Sequence, residues 1–144
     1  MNNINIGCGY KAIPDCTANV DKMETDITTH VHDLDVMPWP FGDDEFDNAY
    51  ALDIFEHVRG ATQFMDECHR ILKPGAHLYI RTSWFMSENS YRDPTHVRFC
   101  TLETFDFYDR STDLGKKYQY SDRLWSILDR GVDGQELVFE LEKI

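Results

Sequence analysis

The chain has no cysteine pair at the two-residue separation of a zinc knuckle or a redox motif. Cys8, Cys16, Cys68 and Cys100 are scattered through its 144 residues, which points to reduced thiols in a cytoplasmic protein rather than a disulfide scaffold. No apolar run approaches the ~18 residues that a membrane span needs, and Met1-Asn2-Asn3 opens no basic segment followed by an apolar one, so neither a span nor a leader is expected. Basic residues are scarce. With 14 lysines and arginines against 26 aspartates and glutamates the net charge is -12, a field that repels phosphate backbones and argues against nucleic acid as a partner. Internal repeats and low-complexity segments are also missing.

What is present suits a packed core. Hydrophobic residues make up 42% of the chain and aromatics 13%, too much apolar material for a disordered composition, and the length fits a single domain over 1–144. The first apolar run, Ile4-Asn5-Ile6, breaks at once into Gly7-Cys8-Gly9, where missing side chains let the backbone turn tightly and approach a ligand closely. Residues 10–17 hold a proline and too little periodicity for a long helix, so the first connection is short. Ala18-Asn19-Val20-Asp21 then reads as a strand ending on a carboxylate, placed to accept hydrogen bonds from the two hydroxyls of a ribose.

Residues 27–34 suggest a third strand followed by Asp33-Leu34, and Phe46 to Leu52 a fourth. The clearest helix covers 60–72: Phe64, Met65, Cys68, Ile71 and Leu72 recur at three- and four-residue spacings, and Lys73-Pro74-Gly75 is expected to stop it. A strand over 77–82, a surface loop over 83–93 and a short helix over 102–108 follow. Two β-rich runs, 117–128 and 135–143, are joined by the turn-rich 129–134. The order predicts an α/β fold, a Rossmann-like and mostly parallel sheet with an antiparallel C-terminal strand pair. Ligands of such sheets sit at the carboxyl ends of the strands, where Gly7, Asp21, Asp33 and Leu52 would line one edge.

Taken together, these features resemble the class I S-adenosylmethionine-dependent methyltransferases, in particular small members whose middle reads like Phe55-Glu56-His57-Val58 and then Phe64-Met65-Asp66-Glu67-Cys68-His69-Arg70-Ile71-Leu72-Lys73-Pro74-Gly75. The similarity covers about residues 3–83 and continues more faintly, through Asp93-Pro94-Thr95-His96-Val97-Arg98-Phe99, to about 108. The resemblance implies S-adenosyl-L-methionine as cofactor. It places Gly7, Cys8 and Gly9 against the methionine part, Asp21 on the ribose, Asp33 and Leu34 beside the adenine, and Leu52 next to the sulfonium. The chain departs from the family at Asn5, where an acid is common, and at Lys11, where a third glycine is common. It also starts at its first strand, without the N-terminal helices that often cover the active site.

Methyl transfer from a sulfonium is an in-line displacement with an already activated donor, so alignment and desolvation carry most of the catalysis. A base is needed only for an acceptor that must lose a proton, and His57 and His96 are the candidates. Arg92 and Arg98 could bind an anionic acceptor, and Trp39 and Trp84 could wall it. No ligand spacing supports zinc, with His30 and His32 on one strand face and His69 and His77 elsewhere, so no metal is expected.

The reading is therefore a methyltransferase acting on a small-molecule or glycan-type acceptor. The main rival is a non-catalytic module that keeps the nucleoside pocket as a binding or assembly partner, and a second chain, as in a homo-oligomer, could close the thin amino-terminal side. Cofactor-destroying lyase chemistry is a third reading. A dinucleotide oxidoreductase fits worst, since its glycine fingerprint needs a third glycine further into a regular first helix and this chain has Tyr10-Lys11-Ala12-Ile13-Pro14 there.

Overall fold

The computed structural model describes residues 1–144. Its strands are β1 (Asn3–Ile6), β2 (Cys16–Asp21), β3 (His30–Val31), β4 (Phe46–Leu52), β5 (Leu72–Ser83), β6 (Trp125–Asp133) and β7 (Glu136–Lys143), and its α-helices are α1 (Ala61–Ile71), α2 (Glu88–Arg92) and α3 (Asp113–Lys117). The strands form one sheet in the order β3-β2-β1-β4-β5-β7-β6. Pairings from β3 through to β5 are parallel, and β7 runs antiparallel to both β5 and β6. This is the Rossmann-like sheet of a methyltransferase, with the expected C-terminal pair.

Alternate burial decides which face carries the core. Ile4 and Ile6, Ala18 and Val20, Ala49 and Ala51, Leu78 and Ile80, and Leu137, Phe139 and Leu141 are all buried, and the two-residue period of a strand puts each set on one side. α1 packs there through Phe64, Met65, Cys68 and Ile71. Trp39 and Phe64, Phe55 and Phe64, Phe55 and Phe105, and Phe105 and Phe139 meet with ring centroids 4.7 to 5.6 Å apart, an edge-to-face chain across the core. Trp39 is thus a core residue and not an acceptor wall. Arg70 and Glu67, on the other side of α1, pair at 2.7 Å, and Arg70 also donates to the carbonyls of Trp39 and Phe41, holding that loop against the helix.

The opposite sheet face is polar. Asn19, Asn48, Tyr50, His77, Tyr79, Arg81 and Glu140 alternate with the core residues and are half-buried, Tyr50 stacks on Tyr79 at 5.0 Å, and His77 meets Glu140 at 2.7 Å. α1, at 11 residues, is the longest helix and lies on the other side. The β1–β2 connection, as its sequence indicated, contains no helix.

Several boundaries differ from expectation, each for a local reason. The strand expected over 27–34 shrinks to His30–Val31, where the Asn19 N–H is taken by the Thr29 hydroxyl at 2.8 Å rather than by a backbone carbonyl, while the Thr29 and His32 N–H groups still donate to the Asn19 and Asp21 carbonyls. Lys73-Pro74-Gly75 follow the end of α1, as expected of a stop, but they lie within a strand. The helix ends at Ile71 and passes directly into β5, and these residues form a bulge: Phe46 pairs Leu72, the next partners are Asn48 and His77, and Gly75 takes φ +75°. Within the expected 83–93 loop lies α2, and the helix expected over 102–108 is one 3-10 turn, Asp106–Tyr108. The strand expected over 117–128 begins only at Trp125, after α3, whose Thr112 cap accepts from the Gly115 N–H. β6 then runs through the expected turn 129–133, because an edge strand tolerates exposed Asp129, Arg130 and Asp133, and Gly134 at φ +61° with Gln135 suffices for the reversal.

His69 on α1 gives the fold a pH dependence. It is buried with its ring 5.4 Å from that of Trp125, its Nε2–H donates to the Ile144 carbonyl at 3.2 Å, and Nδ1 has no partner. Burial, then the nearby Lys143 charge, lowers its pKa. A depressed histidine pKa means that the unfolded chain binds the proton more readily. Stability is then fully present above the unfolded value of ~6.5 and is lost as pH falls through it toward the folded value. Thermal melts between about pH 7 and pH 5 should show the midpoint falling, and His69→Gln should flatten that slope; an unchanged slope would assign it to other groups.

Candidate functional site

The carboxyl ends of β1, β2 and β4 open onto a cavity of about 970 Å³, at the upper end of the range for small-molecule pockets. Its first wall is the glycine turn. Gly7 and Gly9 adopt φ +71° and +49°, the left-handed region that glycine enters without cost. The Gly7 and Cys8 N–H groups both donate to the Val20 carbonyl, at 2.8 and 3.1 Å, and the Gly9 N–H donates to Asp21 Oδ2 at 2.9 Å. The turn is thereby tied to the end of β2.

Asp21 accepts a second backbone bond at Oδ1, from Met23 at 2.9 Å. Each oxygen has one acceptor site left. Asp33 Oδ1 accepts from the Asp35 N–H at 2.9 Å, and Asp35 accepts from the Arg59 N–H at 2.8 Å, which links this wall to the segment before α1. The Leu34 carbonyl is taken by Trp39 Nε1 at 3.1 Å, and the Leu34 N–H makes no hydrogen bond within the chain. Asp21, Asp33, Asp35 and Asp53 all line the cavity, against Lys22 and Arg59, so its field is negative and favours a cationic guest.

The third wall is the Phe55-Glu56-His57-Val58 segment, which begins as a 3-10 turn. Phe55 enters the core. Glu56, 1% exposed, accepts from the Ser83 N–H at 2.7 Å and through its carbonyl from the Val97 N–H at 2.9 Å, joining the end of β5 to the 93–99 loop. His57 and Val58 face the cavity together with Pro94, Thr95 and Val97. His57 Nδ1 lies 2.9 Å from Thr95 Oγ1.

Gly7, Gly9, Asp21, Asp33, Leu34 and His57 are thus brought to one cavity, and Cys8, Leu52 and His96 are not among its lining residues. The buried Cys8 thiol turns inward to Thr28 Oγ1 at 3.8 Å, and burial pushes its pKa up, so it is a neutral packing group. Leu52 lies on the polar sheet face by strand alternation. The cavity is instead reached by the next residues, Asp53, which turns the chain at φ +62° and pairs with Arg81, and Ile54. His96 lies behind His57, with ring centroids 4.7 Å apart and its Nδ1 on the Ser90 carbonyl at 3.0 Å.

Arg98 does not present its charge to an acceptor: it donates to the carbonyls of Phe55, Val58 and Arg59 and lies over the Phe55 ring at 4.8 Å. Arg59, Thr95 and Val97 were missed by sequence reasoning. A signal for the last two existed in the Asp93 to Phe99 run, but nothing local says that this loop returns to the strand ends.

The comparisons with known proteins agree with this geometry. Residues 4–80 match the family described as a methyltransferase domain, and the chain belongs to that family. It is a class I S-adenosylmethionine-dependent methyltransferase, and its cofactor is S-adenosyl-L-methionine. Among solved structures, a Thermotoga maritima S-adenosylmethionine-dependent methyltransferase, described as a possible histamine N-methyltransferase, superposes with a TM-score of 0.68 at 17% identity, over 99% of this chain and 82% of that one. The N-methyltransferase NodS from Bradyrhizobium japonicum WM9, solved with S-adenosyl-L-homocysteine, gives 0.61 at 16% identity over 99% and 77%. The [4+2]-cyclase SpnF gives 0.64 at 13% identity over 99% and 74%, a reminder that this fold alone does not fix a reaction. No protein of curated function matches the sequence.

Proposed function

We propose that the chain methylates a small-molecule or glycan-type acceptor presented at the His57 side of the cavity, with the cofactor lying along the ends of β1, β2 and β4. The observation that carries this is the gathering of Gly7, Gly9, Asp21, Asp33 and Leu34 around one space. The donor set fits a nucleoside. Asp21 keeps two acceptor sites for a ribose diol, the Asp33 carboxylate can accept from an exocyclic amine, and the free Leu34 N–H can donate to a ring nitrogen. Gly7 and Gly9 leave bare backbone for the methionine end.

When bound, the cofactor supplies an electrophilic methyl group on a positively charged sulfur. The negative field of the cavity favours that charge, and the chain's contribution is to fix the line of approach. His57 is the histidine that reaches the cavity, and its Nε2 can take a proton from a protic acceptor. His96 supports its ring from behind. The loop that supplies Pro94, Thr95 and Val97 also carries Phe99, whose exposed ring stacks at 4.7 Å on that of Tyr91 at the end of α2, which suits the apolar face of a sugar or another ring. All four cysteines are free, in keeping with a cytoplasmic setting, and no helix is long and apolar enough to cross a membrane.

Calorimetric titration with S-adenosylmethionine and S-adenosylhomocysteine tests the site. Both should bind, the cationic methyl donor losing more affinity than the product as salt is raised. Methyl transfer from radiolabelled donor to a panel of sugars, amines and phenols then tests the acceptor. Absence of binding by either ligand would remove the reading; binding with no transfer across the panel would remove the acceptor assignment.

A further inference from the structure

We propose that His57, Asp93 and His96 form a binding site for a divalent first-row metal ion at the rim of the cavity, leaving coordination positions open toward the acceptor. The ion site itself stands on the geometry of these three side chains; its facing an acceptor rests on the function proposed above.

Asp93 Oδ2 lies 4.0 Å from His57 Nε2 and 3.8 Å from His96 Nε2, and one ligand atom from each of the three side chains lies within 4.8 Å of the other two. These separations are too long for hydrogen bonds, so the groups converge without binding each other. Their proton positions follow from their other contacts. Thr95 Oγ1 donates to Asp93 Oδ1 at 2.7 Å, which commits the hydroxyl proton and leaves an oxygen lone pair toward His57 Nδ1 at 2.9 Å. His57 must then carry its proton on Nδ1. His96 Nδ1 faces the Ser90 carbonyl at 3.0 Å, which can only accept, so this ring too is protonated on Nδ1. In the neutral rings both Nε2 atoms are then lone pairs, and both lie toward a carboxylate oxygen.

In that state three acceptors face one point, an arrangement that a cation between them relieves. Two histidines and one carboxylate on a single face are a ligand set that first-row ions take, and ligand atoms bonded at ~2.0–2.2 Å stand roughly 3–3.6 Å apart. Closing onto an ion therefore needs shifts of less than an ångström. The outer partners that orient metal-bound imidazoles, a carbonyl for His96 and a carboxylate-linked hydroxyl for His57, are already in place. Side-chain exposures of 30% for His57, 43% for Asp93 and 8% for His96 leave an entry path on the Asp93 side. With an ion bound, the His57 lone pair is no longer available as a base, and the ion would instead acidify an acceptor hydroxyl. Asp93 and His96 are three residues apart but His57 comes from before α1, so no local spacing reveals the set.

The metal-stripped full chain is titrated with Zn²⁺ and with Mn²⁺ by calorimetry, with Mg²⁺ as the hard-ion comparison. One Zn²⁺ or Mn²⁺ per chain is expected, with little heat from Mg²⁺. Asp93→Asn and His96→Ala should each remove this binding, and Thr95→Val should weaken it ~10–100-fold with Thr95→Ser restoring it. His96→Gln replaces His96→Ala if melting shows that the alanine chain does not fold. S-adenosylhomocysteine affinity is measured on the same samples and should survive the His96 change, since that ring does not line the cavity. No binding of either ion to the parent chain, or binding that persists in both ligand variants, overturns the metal site while leaving the cofactor assignment standing. Loss of nucleoside binding with ion binding intact would do the reverse.

Discussion

Alanine in place of Asp21 should lower S-adenosylhomocysteine affinity by ~100-fold or more. Hydrogen bonds to a charged acceptor contribute ~1.5–3 kcal/mol each, and a ribose held through both hydroxyls loses two of them, at 1.4 kcal/mol per decade of affinity. The same substitution frees the Gly9 and Met23 N–H groups, so the glycine turn also loses one of its ties to β2 and keeps the Gly7 and Cys8 bonds to the Val20 carbonyl. Asp21→Asn separates the two effects: the amide keeps one acceptor oxygen at nearly the same size, and should land between the alanine variant and the parent. Calorimetry reads the affinity, and circular dichroism confirms that the sheet is retained. An alanine variant that binds within tenfold of the parent would mean that the sugar lies elsewhere.

Gly7→Ala should cost the fold ~2–5 kcal/mol and abolish cofactor binding with it. A methyl group built at Gly7 meets Ile54 Cγ1 at 2.5 Å and Ile54 Cβ at 2.6 Å, overpacking of a kind that costs ~1–3 kcal/mol, and the φ of +71° adds ~1–2 kcal/mol for any residue with a Cβ. Urea unfolding gives the loss. The double variant Gly7→Ala/Ile54→Ala should recover the steric part relative to Ile54→Ala alone and leave the conformational part. Full additivity of the two single changes would show that Ile54 is not the obstacle.

How much of this was legible beforehand depended on whether the deciding contact was local. Ile4 to Gly9, Ala18 to Asp21 and Asp33-Leu34 each declare a strand end and its chemistry within a few residues, and all three meet at the cavity. α1 was legible from Phe64, Met65, Cys68 and Ile71, because one apolar stripe suffices to place a helix. Leu52, expected at the strand end, is not among the residues lining the cavity, since strand alternation sends it to the polar sheet face and Asp53 and Ile54 reach the cavity instead. His57 and His96 looked equivalent as sequence. Only the return of the 93–97 loop onto the 3-10 turn distinguishes the ring at the cavity from the ring behind it. The 117–133 region was misread because Asp129 to Asp133 has turn composition, and the ladder to β7 overrides it.

The placement of β7 between β5 and β6 makes the docking of β6 depend on the last strand of the chain. Residues 125–133 have no sheet edge to join until 136–143 have been made, because β6 is bonded to β7 alone. A chain truncated before Glu136 would expose β5 as an unpaired edge, the feature that attracts foreign strands and chaperones. Proteolysis of such truncated chains should cut freely within 125–133, and the full chain, with its final strand in place, should be protected there.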